Sequence, residues 1–257
     1  MFMITPLKKA VIISLFLLLI VQNIHAKEEK EENDKKQKSY SSSTSFSFLM
    51  TSGNTQELTL GFDTEQNLKF KKDQIQFKGS VIYSESEGSK DTEVYYSHIE
   101  YKRTFSSKAY LLGTGRFERN VQSGYNYRFA LSIGAGYAWT KSKKIEFSSE
   151  AAFGWSKENN IKKTRDETVL LSFASCSVSS QLKIGLSDTS EFIFQEIFFL
   201  NLENTNDYRL SSLASLAANI SSYLALKISY QLKYNHRSVP GFKNTDQYFI
   251  SSLVFNY

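Results

Sequence analysis

Strict alternation between Tyr127 and Trp155 constrains this chain more than any other feature. Every second residue from Tyr127 is apolar: Phe129, Leu131, Ile133, Ala135, Tyr137 and Trp139. Between them lie Arg128, Ala130, Ser132, Gly134, Gly136 and Ala138, small apart from one charge. After the polar break Thr140-Lys141-Ser142-Lys143 the pattern resumes. Ile145, Phe147, Ser149, Ala151, Phe153 and Trp155 share one face, and Glu146, Ser148, Glu150, Ala152 and Gly154 the other. A period of two is the signature of a β-strand. Each run is long enough to cross a bilayer as a tilted strand, which takes roughly 9–11 residues.

The hairpin is repeated along the chain. Leu58, Leu60, Phe62, Leu68 and Phe70 oppose Glu57, Asp63, Glu65 and Lys69; Leu224, Leu226, Ile228, Tyr230 and Leu232 oppose Lys227 and Lys233. Segments near 168–182 and 192–202 carry apolar residues on both faces, so their facing is open. Longer loops are expected at 85–92, 157–165 and 236–244, with tight turns between them. The whole reads as an all-β, transmembrane antiparallel barrel of about twelve strands, even-numbered as single-chain outer-membrane barrels are. A ten-strand barrel and a soluble periplasmic barrel are the alternatives.

Orientation decides between them. In a soluble barrel the apolar face would fill a narrow interior with Trp139, Trp155 and many Phe and Tyr rings. Turned outward, the same face makes a lipid belt. Tyr127, Trp139, Trp155, Tyr208, Tyr234 and Tyr257 fall near its ends, where interfacial aromatics gather. The mean hydropathy of −0.35 fits, because alternation hides the apolar residues from any window average.

The beginning of the chain is of a different kind. Residues 1–26 have a basic start (Lys8, Lys9), a short apolar run and a small-residue end at Ala26, which reads as a cleaved secretory signal peptide. The run falls short of the roughly 20 residues a spanning helix needs. Residues 27–38 (KEEKEENDKKQK) are nearly all charge and read as a disordered leader. The barrel is expected over 39–257. A net charge of +5, spread in both signs, leaves no nucleic-acid footprint. One cysteine, Cys176, rules out an internal disulfide and a zinc–thiolate cluster.

Phe117-Glu118-Arg119-Asn120-Val121-Gln122-Ser123-Gly124-Tyr125-Asn126-Tyr127-Arg128 forms a block with a familiar look. With Gly53-Asn54-Thr55, Asp207-Tyr208-Arg209-Leu210 and Pro240-Gly241-Phe242 followed by Thr245-Asp246, it resembles the DUF481 family, the YdiY-like group of salt-induced outer-membrane proteins. The resemblance implies an outer-membrane β-barrel with a link to salt or osmotic stress, and it implies no catalytic residues. The terminal Phe255 and Tyr257 look like the last-strand signal read by the barrel assembly machinery. Export to the Gram-negative outer membrane, among lipid and lipopolysaccharide, is the expected destination.

The barrel interior is the one candidate site. Glu57, Asp63, Glu65, Lys69, Lys78, Glu100, Lys102, Arg116, Glu118, Arg128, Glu146, Glu150, Arg209, Lys227 and Lys233 would point inward. With both signs present they are expected to pair across the lumen, since unpaired charges in a poorly hydrated space cost several kcal/mol each, or about that. Glu118 and Arg128 are expected to form a cross-strand pair. The functional expectation is a structural barrel or a narrow, porin-like solute channel, with no enzyme activity, cofactor or metal. The alternatives are a small-ligand barrel and an embedded lipid hydrolase. The latter would need a nucleophile beside a base; His98 shares a face with Glu100, but no Gly-x-Ser-x-Gly elbow is present.

Overall fold

The computed structural model describes residues 38–51, 57–86, 89–121, 123–142, 144–162 and 169–256. The signal segment, the leader up to residue 37, the Gly53-Asn54-Thr55 cluster and Tyr257 lie outside them. The described residues form β1 (Lys38–Thr51), β2 (Glu57–Phe70), β3 (Asp73–Ser86), β4 (Ser89–Thr104), β5 (Ala109–Asn120) and β6 (Tyr125–Lys141). They continue with β7 (Ile145–Asn160), β8 (Leu170–Gly185), β9 (Ser190–Asn201), β10 (Tyr208–Asn219), β11 (Leu224–Asn235) and β12 (Thr245–Asn256). Each strand neighbours the next, and β1 pairs antiparallel with β12 from Ser43↔Asn256 to Ser47↔Ser252, so the sheet closes. Closure leaves no edge with unpaired N–H and C=O groups, the condition for a sheet inside lipid.

The side chains are turned inside out relative to a water-soluble protein. Ile133 is 75 % exposed and Phe153 64 % exposed, while Glu158 and Ser156 are each 2 % exposed. Phe46, Leu60, Ile99, Leu111, Leu131, Val178, Leu216, Leu226 and Phe249 join the outer face. Ser45, Glu100, Ser175, Ser215, Ser229 and Ser252 are buried inside. The soluble-barrel alternative is thereby excluded, because it needs these faces reversed. Indole N–H groups on the outer face are satisfied locally. Trp139 donates to Ser149 Oγ at 2.8 Å and Trp155 to Ser172 Oγ at 2.9 Å.

Connections 71–72, 105–108, 186–189 and 220–223 lie at one end, the turn rim, with the end of β6 and the start of β7. Connections 202–207 and 236–244 lie at the other, the loop rim, together with the end of β1 and start of β2, the end of β3 and start of β4, the end of β5 and start of β6, and the end of β7 and start of β8. Two expected loops are corrected. The 85–92 stretch is largely a hairpin extension of β3 and β4, with an irregularity at Ser84/Glu85. β7 runs on through Lys157 and Glu158 to Asn160, paired with β6 and β8. Both stretches are polar, yet backbone pairing above the lipid needs no apolar side chains.

The facing of β8 and β9 is settled by register. Phe198 pairs with Leu210 and Val178, both on the outer side, whereas Phe199 pairs with Arg209 and Ser177. Phe173 is 3 % exposed within the barrel and packs on Phe199 at 6.2 Å. This wall thus carries aromatics inside as well as out.

Candidate functional site

Charged residues on the inner faces of non-adjacent strands meet near the loop rim. The Arg209 guanidinium on β10 donates to both carboxylate oxygens of Glu158 on β7, at 2.5 and 3.0 Å, and to Asp207 at 3.1 Å. Two parallel N–H···O bonds fit the fork of the guanidinium to the carboxylate. Arg128 on β6 lies 3.5 Å from Glu158 and 3.9 Å from Glu118. Lys233 on β11 reaches across the lumen to Glu118 on β5 at 3.6 Å. Rings hold the cations as well: Arg128 lies 3.0 Å from the Tyr125 centroid and Arg209 5.0 Å from that of Phe199.

Tyr125 enters this cluster because of a bulge. The register of β6 against β7 slips between Tyr125 and Tyr127. The slip lets Tyr125 turn inward at 3 % exposure, where its hydroxyl accepts from Asn235 at 2.5 Å. Tyr127 stays on the Phe129 face, pointing out. Above the cluster, the 236–244 connection folds down into the mouth. Val239 is 2 % exposed and sits against Gly124. Gly124 has φ +89°, and a Cβ there would fall 2.9 Å from Val239 Cβ and 3.0 Å from the Phe242 ring. Only glycine combines that backbone conformation with such a close approach. Ser123 ties the same region to β12 through Asp246 at 3.0 Å. A cavity of about 260 Å³ remains in the mouth, lined by Glu158, Asn160, Phe173, Asp207, Arg209 and Arg237 among others. Inside it Asn160 Oδ1 and Arg209 Nε are buried without hydrogen-bond partners.

A second cluster lies toward the turn rim. Lys102 on β4 contacts Glu100 at 3.0 Å and reaches Glu150 on β7 at 2.7 Å. Tyr110 on β5 donates to Glu150 at 2.8 Å, and Ser179 on β8 at 3.4 Å. The Tyr110 ring lies where a side chain on Gly136 would be, so the small residues of β6 make the room.

The other expected lumen residues are spread more widely. Glu65 accepts from Asn67 and Gln76 and lies 3.7 Å from Lys78. Asp63 accepts from Ser45 at 3.4 Å. Arg116 pairs in register with His98, and His98 with Lys78. Lys227 pairs with Ala217 and Ser252 on the inner face. Lys69 is exposed at the turn rim. Glu146 lines a cleft there with Lys183 and Glu191. Glu57 begins β2, and its side chain is outside the described residues. Of the interfacial aromatics, Trp139 and Trp155 are exposed outward. Tyr208 and Tyr234 lie on the outer face at the loop rim, with His236 stacked on Tyr208 at 4.5 Å.

The histidines considered for hydrolysis are placed apart. His98 is inside, stacked on Tyr96, with its Nδ1 buried and unpartnered; His236 Nδ1 lies 3.0 Å from the Tyr234 hydroxyl at the rim. The sequence reading missed Glu158, Asp207, Tyr125 and Tyr110. Glu158 fell in a stretch read as a loop, and Asp207 entered only through the family resemblance. Glu158 nevertheless continues the face of Glu146 and Glu150, a signal that could have found it.

A closed sheet that is greasy outside and ion-paired inside defines a transmembrane β-barrel. Its particular family follows from sequence: the chain belongs to the family described as "Protein of unknown function, DUF481", whose model matches residues 44–257. None of the curated proteins compared matches it. Solved structures of similar fold include the COG4313 outer membrane channel from Pseudomonas putida F1, at 8 % identity and TM-score 0.49, over 88 % of this chain and 99 % of that one. The NanC porin aligns at 9 % identity and TM-score 0.48, over 85 % and 98 %. The translocator domain of the autotransporter NalP from Neisseria meningitidis aligns at 10 % identity and TM-score 0.46, over 95 % and 96 %.

Proposed function

We propose that the protein is an outer-membrane barrel that passes small polar solutes through a narrow, normally shut lumen, and that ionic strength biases its opening. The observation that carries this reading is the bridge across the mouth, where Glu158–Arg209 and Glu118–Lys233 join strands on different sides of the lumen beneath the seated Val239. A barrel that served only as a wall could fill its interior with apolar side chains at lower cost than buried ion pairs. The Lys233–Glu118 contact, at 3.6 Å and with the lysine side chain 35 % exposed, is the one salt screening reaches first. The Debye length shrinks from about 10 Å at 0.1 M to about 3 Å at 1 M. This supplies a physical sense for the salt link that the family resemblance implies.

Planar-bilayer recording tests it. The mature protein should give rare, small steps at low salt, with open probability rising as salt increases. Arg209→Ala combined with Lys233→Ala removes the two cross-lumen cations of the mouth and should lengthen and enlarge the openings several-fold. A heat-modifiable gel shift establishes that the variant folds. A folded double variant as silent as the parent would make this a structural barrel.

A further inference from the structure

The cavity in the mouth is lined by groups whose charges are already matched. Glu158 accepts from Arg209 through both oxygens, and Asp207 accepts from Arg209 and, at 3.2 Å, from Asn201. Asn201 Oδ1 in turn accepts from the amides of Glu203 and Asn204 at 2.9 and 3.3 Å. Glu203 and Arg237 add one charge of each sign to the lining, and Arg128 stands behind Glu158. Three carboxylates thus meet three guanidinium groups. Among the described residues, two of the buried side-chain atoms without a hydrogen bond belong to this lining. They are Asn160 Oδ1, in a residue 1 % exposed, and Arg209 Nε. One is an acceptor and the other a donor. The Phe173 ring adds an apolar wall.

We infer that this cavity holds one uncharged, polyhydroxylated molecule of monosaccharide size. The inference rests on the reading of the barrel as a solute channel and names the solute class. A hydroxyl both donates and accepts, so a ring carrying several meets the Arg209 N–H and the Asn160 carbonyl together. Its C–H face lies against Phe173, which gives the site an apolar wall and a few placed polar groups. An ionic solute finds no counter-charge that is not already engaged, so its desolvation goes uncompensated. At about 260 Å³ the cavity falls short of the roughly 300–1,000 Å³ of pockets for drug-sized ligands. It takes a single sugar ring and not a chain. Ser238 and Val239 form part of the lining, so the connection that fills the mouth also touches the bound molecule.

Saturation-transfer NMR titrations on the protein folded in detergent test the site without calling on conduction. The probes are D-glucose, D-galactose, D-mannose and myo-inositol, with glucuronate and protonated glucosamine as charged counterparts of similar size. At least one neutral probe should bind, and the charged counterparts should bind more weakly than it does. Asn160→Leu removes the acceptor and should weaken that binding about tenfold, the loss of one hydrogen bond. Phe173→Leu removes the ring and should weaken it independently. A heat-modifiable gel shift establishes that each variant folds. The inference is overturned if no neutral probe binds, if a charged counterpart binds more tightly than every neutral one, or if both folded variants bind like the parent. Conductance steps without any sugar binding would overturn the site and leave the channel reading standing. Sugar binding by a barrel that stays silent would do the reverse.

Discussion

Arg209 bonds two carboxylates and an aromatic face at once, so its removal strands Glu158 with the more distant Arg128. Breaking one partner of a buried ion pair costs about 3–5 kcal/mol. Arg209→Ala should lower the stability of the vesicle-reconstituted barrel by that order in urea titrations followed by tryptophan fluorescence. Gly136 is a second sensitive point. Gly136→Leu forces its side chain into the space of the Tyr110 ring. Overpacking of this kind costs about 1–3 kcal/mol, and the displaced phenol gives up its bond to Glu150. At this scale the sequence was legible in part. Alternation alone puts Glu118 and Arg128 on one face. It carries no information about which distant strand will supply Lys233 or Arg209, because those contacts depend on strand number and barrel width. Tyr125 escaped notice for a different reason: a bulge suspends the period-two rule just where that residue turns inward.

Among the elements, the 236–244 connection is the one with a mechanical role. Val239 fills the mouth against Gly124, and Asn244 fastens the base of the connection by donating to the carbonyls of Asn235 and His236. Val239→Asp should unseat it, since a carboxylate in that apolar contact is costly. The expected result is a larger open probability, and faster maleimide labelling of a cysteine placed at Ser175, with little change in the melting behaviour of the strands. Strands with clean alternation, such as β2, β6 and β11, could be read directly. β8 and β9 could not, because Phe173, Ile193, Ile197 and Phe199 put apolar side chains on the lumen side of a wall whose outer face holds Ser180 and Glu196. Composition assigns such a strand no direction; only its register with β7 and β10 does.

For the whole molecule, the decisive feature is that solvent preference is inverted. Ile133→Arg, at the middle of the outer wall, should cost about 2–4 kcal/mol in lipid vesicles, the range for a cation at the bilayer midplane. In a water-soluble barrel the same change at a surface position would be nearly neutral. The number of strands was also legible, since eleven polar breaks separate twelve runs along the chain. The lengths of β3, β4 and β7 were not, because strand extensions beyond the lipid need no greasy face. Pairing of β1 with β12 makes the sheet a ring, and on a ring the choice of first residue is arbitrary. The start of β1 and the end of β12 both lie at the turn rim, so a short link between them, with new ends cut into 186–189, should still yield a barrel that migrates as folded on unheated gels. The wall would then be shown to depend on the cyclic order of its staves and not on where ribosomal synthesis begins.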